Sequence, residues 1–311
     1  MPEPFVYDPV LTGIALAYQG DRLIADNVLP RIPVLAKRFA WMKWDKDEGF
    51  TLPETLVGRT ARPREVEFTA QKINDEAYDY GLDDPIPNDD VTQAQNAGID
   101  PFGRATTGLM KFIALDREVR VAGLVFNAAN YDAANKTQLV GNQQWTDKLN
   151  SDPVADITTG MDAAFIRPNT MTIGRVAYTA LVTHPKTVTA VGMADQSAGV
   201  VKRRQLLELF ELDNIFVGES RINQAKKGQT ASYGRIWGNH CLLHYNDPQV
   251  QSTEESQPTF GFTAEFGSRV SGTISEPKRG LRGTETVRTG ETLKEVIAAA
   301  DVAYFIEDAA A

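Results

Sequence analysis

The side chains in this sequence best suited to chemistry lie close together, at His240, Cys241 and His244. Histidines four residues apart on a helix can share a metal ion, and a thiol can act as a nucleophile. Gly238-Asn239 before this run and Asn246-Asp247-Pro248 after it predict a short β-strand instead. Along a strand, about 3.3 Å per residue separates the two histidines by about 13 Å, too far to bind one ion. We therefore predict packing roles for all three residues, with a thiol nucleophile at Cys241 as the distant alternative.

Two acidic segments are the other candidates for ion binding. Asp45-Lys46-Asp47-Glu48-Gly49 begins like a calcium loop, but Gly49 stands where a ligand is needed. Leu56 occupies the twelfth position, where such a loop carries a bidentate glutamate. Four aspartates form the second segment, and the prolines between them favour a solvated turn: Asp83, Asp84, Asp89 and Asp90.

Sequence motifs for catalysis and cofactor binding are absent. There is no GxxxxGKS/T or GxGxxG phosphate loop. Gly218-Glu219-Ser220 lacks the second glycine of a GxSxG nucleophile elbow. The sequence therefore predicts that the protein is not an enzyme and that it holds no catalytic residue, cofactor or metal.

Composition limits the remaining classes of function. The chain has 311 residues, a hydrophobic content of 42% and a formal net charge of -9. Such an acidic chain is a poor candidate for a nucleic-acid binder that relies on a basic surface. Cys241 is the single cysteine, which excludes an intrachain disulfide. The sequence has neither a run of eighteen apolar residues nor a signal pattern at its N-terminus, so it predicts no contact with a membrane.

The longest periodic segment runs from Thr106 to Tyr131 and predicts a helix on the order of 35 Å long. Such a helix is either an ordinary core helix or the spine of an elongated subunit. We expect its polar face, with Asp116, Arg117 and Arg120, to meet solvent, an arm or a neighbouring hairpin. Its apolar residues recur at steps of three and four: Leu109, Phe112, Leu115, Val119, Ala122 and Phe126.

Residues 1–36 are predicted to form an arm. Prolines interrupt the apolar run 24–34, and a proline can neither donate to a strand ladder nor follow a helical residue easily. An extended segment of this kind must lie across another surface, either as a strap within the chain or as an arm between chains. Leu29, Pro30 and Ile32 are its candidate contacts with a neighbouring subunit.

An extended hairpin is predicted to follow the arm. Residues 37–44 form an aromatic strand, and Val66, Phe68 and Ala70 alternate with polar residues as a strand with one apolar face. We expect residues 76–82 to pair back onto that second strand. A two-stranded ribbon is marginally stable alone, so we expect it to rest on a neighbouring subunit. A mobile surface excursion is the alternative.

The rest of the chain predicts an alternation of helices and strands. Asp152 suits a helix cap and Pro153 the first helical position, so a helix is expected to begin there. The other expected elements are a strand-rich segment 170–182, a helix over 199–212, strands over 214–218, 235–245 and 258–271, a charged loop over 276–290, a strand or short helix over 291–300 and a terminal strand over 302–306.

Five segments without a catalytic motif have a distinctive order and spacing. They are residues 25–34 (ADNVLPRIPV), residues 167–174 (RPNTMTIG) followed by Leu181 and His184-Pro185, residues 236–238 (IWG), residues 258–263 (PTFGFT) and residues 303–309 (AYFIEDA). Taken together, they resemble the major capsid protein family of tailed bacteriophages over nearly the whole chain.

The resemblance implies the α+β Hong Kong 97-type phage capsid fold. On this chain it implies an N-terminal arm over 1–36 and an extended hairpin loop region (E-loop) over 37–85. A peripheral domain is expected over 86–170, with a spine helix over 106–131, and over 250–298, whose strands return to it. An axial domain is expected over 171–249, with its C-terminal strand in 299–311.

The family's function implies a structural protein of the virion. A major head protein of this kind self-assembles into hexamers and pentamers of an icosahedral shell that encloses packaged double-stranded DNA, without sequence-specific binding. The expected partners are further copies of the chain, a portal, a separate scaffolding protein (or a segment already removed) and, as an open alternative, a cementing protein. Assembly is expected in the host bacterial cytoplasm. An encapsulin-like cellular nanocompartment shell protein, which would share the fold, is the alternative function.

Candidate interface residues come from the projecting parts of such a subunit. The loop 277–282 is expected at a subunit junction because it presents three cations in a glycine-flexed turn. Lys72 lies on the hairpin, where some relatives form a crosslink, but no motif assigns a bond to it and we predict none. The full set of interface candidates is Leu29, Pro30, Ile32, Val66, Phe68, Lys278, Arg279 and Arg282.

Overall fold

The structure is a computed structural model that describes residues 6–18, 22–43, 54–63, 71–192, 199–226, 228–248 and 258–311, together with residues 52, 65 and 250. The helices in these ranges are α1 (Pro9–Ala17), α2 (Ala25–Val28), α3 (Asn88–Asn96), α4 (Pro101–Val125), α5 (Pro153–Ala163), α6 (Arg175–Val182), α7 (Pro185–Ala190) and α8 (Arg203–Phe210). The strands are β1 (Val6–Tyr7), β2 (Arg31–Val34), β3 (Arg38–Lys43), β4 (Gln71–Glu76), β5 (Tyr78–Pro87), β6 (Lys136–Gln138), β7 (Thr170–Gly174), β8 (Asn214–Gly218), β9 (Arg221–Asn223), β10 (Tyr233–Arg235), β11 (Cys241–His244), β12 (Gly261–Phe266), β13 (Val270–Glu276), β14 (Thr284–Ile297) and β15 (Ala303–Glu307).

Two β-sheets carry most of these strands. A six-stranded sheet has the order β1-β13-β14-β12-β2, and β5 also pairs with β14. A five-stranded sheet has the order β6-β15-β11-β7-β8. Most pairs are antiparallel, whereas β2 runs parallel to β12, β8 to β7 and β6 to β15. Both sheets therefore join strands that are distant in the sequence.

The interior strands of the five-stranded sheet are buried on both faces. All five residues of β7 and all four of β11 are buried. The expected strand-rich segment 170–182 is half wrong, because β7 ends at Gly174 and residues 175–182 form the helix α6. Periodicity alone does not separate a short buried strand from a buried helix.

The long helix α4 runs from Pro101 to Val125, so the predicted bounds 106–131 are wrong at both ends. Asp100 caps its start, because its Oδ1 accepts a hydrogen bond from the Phe102 N–H at 3.0 Å. After Val125 the chain turns into a short 3-10 helix over Ala128–Asn130. None of the helices in the described ranges is long and apolar enough to cross a membrane.

The buried face of α4 differs from the predicted one. The expected apolar position Phe112 is 61% exposed. The predicted positions Leu109 and Ala122 are buried, but most of the buried stripe lies beside the predicted one and includes two charged residues: Thr106, Met110, Ile113, Arg117, Glu118, Val121 and Val125. Near the helix start, Ala105 and Leu109 pack on Val287 of the six-stranded sheet. Near its end, Val121 and Val125 join a cluster that includes residues of both sheets.

The hairpin pairs differently from the prediction. The aromatic strand is present as β3, with Phe39 and Trp41 buried, and it pairs with β4 over residues 71–76. Residues 76–82 were expected to return along the hairpin, but all of them after Ala77 belong to β5, which pairs with β14 instead. Val66 and Phe68 lie outside the described residues.

The C-terminal half corrects two further expectations. The predicted long strand 258–271 is interrupted at Gly267, whose φ of 72° is readily adopted only by glycine, and continues as β13. The predicted loop 276–290 is much shorter, because the strand β14 begins at Thr284. The predicted helix start at Asp152-Pro153 is confirmed, since Asp152 Oδ1 accepts from the Ala155 N–H at 3.1 Å.

Candidate functional site

Cys241 and His244 lie in β11, the central strand of the five-stranded sheet. Burial raises the pKa of the Cys241 thiol, so the thiolate that a nucleophile requires is disfavoured. Burial likewise lowers the pKa of His244 to about 4, which keeps the ring neutral near pH 7. The His244 Nε2 lies 3.0 Å from Thr172 Oγ1, and its Nδ1 lies 3.2 Å from Asn246 Oδ1. Both residues are held by packing and hydrogen bonds within the sheet.

His240 precedes the same strand and contacts the C-terminal segment. Its Nδ1 accepts a hydrogen bond from the Asp308 N–H at 3.0 Å, and its ring centroid lies 5.6 Å from that of Phe305. Nowhere in the described ranges do three or more His, Cys, Asp or Glu side chains gather as a metal site would require. The contacts of His240, Cys241 and His244 are thus the packing contacts that the strand pattern predicts.

The arm candidates Leu29 and Ile32 are covered by their own chain. Leu29 is fully buried in a cluster with Trp237 and Phe260, and Ile32 is buried in a cluster with Phe262. Their side chains therefore offer no free surface to a second subunit. Pro30, between them, is exposed and is the arm candidate that a neighbour can reach.

The hairpin candidates Val66 and Phe68 fall outside the described residues, but part of the chain between β3 and β4 is described. Residues 54–63 are exposed at every position. They include Leu56, which is 86% exposed, and Val57. Arg59 and Arg62 add two cations to this segment, which we call the hairpin tip. It presents apolar and basic side chains that the subunit itself does not bury.

The loop candidates Lys278, Arg279 and Arg282 are all exposed, as expected of a junction loop. Gly280 and Gly283 adopt φ values of 76° and 85°, which turn the chain tightly between β13 and β14. Leu281 at the tip is 99% exposed. The loop thus presents one apolar side chain among three exposed cations.

Two of the loop cations already have partners within the chain. Arg279 Nη1 lies 3.0 Å from Glu276 Oε2, and Arg282 Nη1 lies 2.8 Å from Asp89 Oδ1. Both pairs are on the surface, where an ion pair contributes only about 0–1 kcal/mol. Either arginine can therefore exchange its partner for an acidic group of a neighbour at little cost.

A groove of about 610 Å³ separates β5 from α3 and α4. Its exposed apolar side chains are Leu82, Ile99 and Phe112. Asp83, Asp84 and Arg104 line it as well, and Asp83 is paired with Arg288. The solvated turn expected for the four aspartates is wrong, because Asp83 and Asp84 lie in β5 and Asp89 and Asp90 lie in α3.

Three charged residues hold the arm to the long helix. Arg117, on α4, is only 2% exposed, and its Nη1 donates to Asp26 in the α2 part of the arm. Its Nη2 donates to the Leu29 carbonyl at 3.3 Å and to Thr263 Oγ1 at 3.0 Å. Burial would raise the pKa of Asp26, but the guanidinium groups of Arg117 and Arg31 outweigh burial and lower this pKa.

Arg31 extends this contact to the six-stranded sheet. Its Nε donates to Asp26 at 2.7 Å, and its Nη1 donates to Glu265 at 2.7 Å and to Glu291 at 2.9 Å. Arg269 Nε also donates to Glu291, at 3.3 Å. Oppositely charged groups thus alternate across the junction between the arm and the sheet. Such a network fixes geometry, because each guanidinium has donors in a planar fork.

Sequence reasoning placed Arg117 on a free polar face and did not single out Glu118. A usable signal existed, because Arg117 continues the spacing of Met110, Ile113 and Val121 on one helical face. A charged residue in register with an apolar stripe predicts a buried charge with a partner. The arm alternative for this polar face, by contrast, is the one that the structure shows for Arg117.

Comparison with known proteins places this arrangement in a family. No family model matches the chain. The major capsid protein of Pseudomonas phage JBD67, however, is 44% identical over 308 residues, which cover 99% of this chain and 98% of that protein. The chain belongs to the family of phage major capsid proteins.

Solved structures show that the fold is shared as well. A phage-related protein from Bordetella bronchiseptica matches with a TM-score of 0.76 at 23% identity, covering 99% of both chains. The capsid structure of cyanophage P-SCSP1u matches with a TM-score of 0.58 at 10% identity, covering 94% of this chain and 90% of that one. The predicted α+β phage capsid fold of the Hong Kong 97 type is confirmed.

Membership in this family decides between the functions considered for the sequence. The protein is a structural capsid protein of a bacteriophage and not an enzyme. It self-associates into a shell, and its place is the capsid of the virion. The encapsulin-like alternative is not favoured, because the similar sequence is a phage major capsid protein.

Proposed function

We propose that this capsid subunit forms the hexamers and pentamers of a closed icosahedral shell around packaged double-stranded DNA. The observation that carries the proposal is the exposure of the hairpin tip, 54–63, whose apolar side chains are not covered by their own subunit. Because the chain belongs to a capsid family, another copy of the chain is the expected cover. A segment of this kind gains burial only against another copy. Shell formation then rests on one set of contacts repeated many times.

The groove between β5 and α4 is the surface that fits the hairpin tip of a neighbouring copy. Leu56 and Val57 of the tip match the apolar Leu82 and Phe112 of the groove in chemistry. The tip carries Arg59 and Arg62, and the groove is lined by Asp84, by Asp83 in its pair with Arg288, and by Arg104. Opposite charges of this kind set the register of a contact more than they strengthen it.

The loop 277–282 supplies a second contact between subunits. Leu281 offers an exposed apolar tip, and Arg279 and Arg282 can exchange their intrachain partners for those of a neighbour. Each such contact is modest on its own. A closed shell joins many of them in one particle, so the assembly is stable by multivalency.

The division into domains follows the two sheets. We assign the peripheral domain to the six-stranded sheet with α4 and the axial domain to the five-stranded sheet with α5–α8. The partition is supported by the strands that each sheet contains, since the five-stranded sheet draws on 170–174, 214–218, 241–244 and 303–307. Its strand β6, at residues 136–138, comes from the segment expected in the peripheral domain.

The net negative charge of the chain suits a shell that encloses DNA without binding it tightly. Strong binding to phosphates rests on many Lys and Arg contacts, and the net charge of -9 opposes it. The proposal includes no sequence-specific contact with the DNA. A separate scaffolding protein, a portal and, as an alternative, a cementing protein are the further partners, and assembly takes place in the host bacterial cytoplasm.

Electron microscopy of the expressed protein tests the proposal. Closed shells tens of nanometres across are expected, and a monomer of 34.2 kDa at every concentration would contradict it. Arg279→Glu in the loop is expected to lower the particle yield without unfolding the subunit. Arg204→Glu is the matched control, because Arg204 is also exposed and paired within the chain, to Glu208. Equal yields from both variants would remove the loop from the interface.

A further inference from the structure

The carboxylate of Glu118 is fully buried at the point where the arm meets the long helix. It accepts from the Ile24 N–H at 3.1 Å and from the Ala25 N–H at 2.9 Å. The indole N–H of Trp237 donates to it at 2.5 Å, and the Ser220 hydroxyl donates at 3.3 Å. Its donors are all neutral groups, and together they occupy both oxygens.

These donors come from two separate parts of the subunit. Ile24 and Ala25 begin the arm segment 24–34, and their N–H groups stand at the start of α2, where no helical carbonyl can accept them. Ser220 follows β8 and Trp237 lies between β10 and β11, so both belong to the chain around the five-stranded sheet. One carboxylate therefore joins the arm, the long helix and that sheet.

Burial of this carboxylate is favourable only while its hydrogen-bond donors stay in place. Burying a charged group without hydrogen bonds costs several kcal/mol, and a donor left unpaired costs about 1–3 kcal/mol. If the arm moved away, Glu118 would lose two donors and the amides of Ile24 and Ala25 would lose their acceptor. The arrangement thus favours one position of the arm over intermediate ones.

Arg117, the residue before Glu118, holds the arm in the same place through hydrogen bonds that it donates. It binds the arm at Asp26 and at the Leu29 carbonyl, and it reaches Thr263 of the six-stranded sheet. Two consecutive residues of α4 thus hold one segment of the arm against both sheets. Apolar burial of Leu29 alone would not fix where the arm enters this junction, since it is non-directional.

We propose that Glu118 is a latch that closes residues 24–34 onto their own subunit before assembly and couples the position of this arm segment to the five-stranded sheet. The segment is then a strap of the free subunit, and neighbouring subunits meet it already in place. The inference goes beyond the proposed function, because it concerns the subunit before any shell has formed.

Amide hydrogen exchange on the full-length, unassembled subunit tests the latch. Glu118→Gln keeps the shape of the side chain but turns one acceptor oxygen into a donor, which conflicts with the N–H groups facing it. Exchange at Ile24 and Ala25 is expected to be about tenfold faster or more. Trp237→Phe removes a single donor and is expected to give a smaller acceleration at the same two amides.

Asp116→Asn is the matched control, because it changes the same charge on an exposed side chain of the same helix. The amides of Cys241–His244 in β11 serve as the internal reference and are expected to keep their exchange rates in every variant. Exchange at Ile24 and Ala25 within twofold of the control would overturn the latch. An equal acceleration at β11 would also overturn it, because Glu118 would then be a general stabiliser. Neither result depends on shell formation, so the latch can fail while the proposed function stands.

Discussion

Residues 24–34 of the arm and residues 54–63 of the hairpin are segments of similar length that differ in what covers them. In the arm segment, Val28 and Leu29 are fully buried, and the amides of Ile24 and Ala25 bind Glu118. In the hairpin tip every residue is exposed, including Leu56. The arm segment is thus a part of the subunit's own core, whereas the hairpin tip is not.

Because of this difference, the arm segment stabilises the free subunit, whereas the hairpin tip stabilises the assembled shell. Ordering a residue costs about 1–2 kcal/mol of backbone entropy, which only burial or bonding can offset. The arm segment offsets this cost within the free subunit, through apolar burial and through the charges of α4. The hairpin tip is not buried by its own subunit, so its apolar side chains contribute when a neighbouring copy covers them.

The largest effect is expected from Leu29→Ala in the arm. Removing a fully buried leucine side chain leaves a cavity and costs about 2–5 kcal/mol. Chemical denaturation of the unassembled subunit is expected to show this loss in its free energy of unfolding. The same substitution in the hairpin tip, Leu56→Ala, is the matched comparison.

Leu56→Ala is expected to change the free energy of unfolding by no more than about 0.5 kcal/mol, because the side chain is exposed. Its effect is expected in assembly, as a lower particle yield at a given subunit concentration. Similar losses of subunit stability from the two variants would remove the distinction between the segments.

A loss of stability at acid pH is the next largest effect, and it arises in the buried interior of the subunit. Burial lowers the pKa of His244 from 6.5 to about 4, so the unfolded chain binds a proton that the folded one excludes. Stability is therefore complete above pH 6.5 and falls as the pH decreases toward 4, by about 3 kcal/mol at about 1.4 kcal/mol per pH unit.

Urea denaturation of the unassembled subunit at pH 7 and pH 5 covers about 2 kcal/mol of this fall, at about 1.4 kcal/mol for each pH unit below 6.5. His244→Gln is expected to reduce the pH dependence, leaving the share of His184 and His240, whose pKa values burial also lowers. Exchange of the hairpin-tip amides, corrected for the intrinsic effect of pH, is expected to stay the same. An unchanged pH dependence in the variant would contradict this account, because the pKa of His244 would then be the same in the folded and the unfolded chain.

The smallest effect on the subunit is expected from charge reversal between the hairpin tip and the groove. Arg59→Glu or Asp84→Arg alone is expected to slow assembly, since a surface pair contributes about 1 kcal/mol or less and is repeated around the shell. The double variant is expected to restore part of the rate, as measured by light scattering at low salt. A double variant slower than both single ones would contradict this pairing.

Much of the fold could be predicted where local chemistry decides the structure. The helix start at Asp152-Pro153 needs a cap and a proline in neighbouring positions, and both are visible in the sequence. The first part of β14, expected as loop, was missed because its buried threonines, Thr284, Thr286 and Thr289, lie between β5, β13 and the long helix α4. Such burial depends on strands far away in the sequence, which no local pattern reveals.

The interface predictions show the same limit. The prolines of the arm correctly indicated a segment that lies across another surface, but strap and intersubunit arm remained open alternatives. The choice depends on Arg117 and Glu118, about 90 residues further along the chain. The predicted polar face of the helix included Arg117, and no pattern singled out Glu118. For the hairpin, the marginal stability of a lone two-stranded ribbon predicts contact with a neighbouring subunit, and this stays a prediction.

Amide hydrogen exchange compared between the unassembled subunit and the assembled shell tests the central distinction most directly. Residues 24–34 are expected to be protected in both states, with rates that differ by less than about threefold. Residues 54–63 are expected to exchange freely in the subunit and to slow by at least about tenfold in the shell. Protection of 24–34 that arises only on assembly, or an unchanged exchange rate at 54–63, would contradict the assignment of the arm to the subunit and of the hairpin tip to its neighbour.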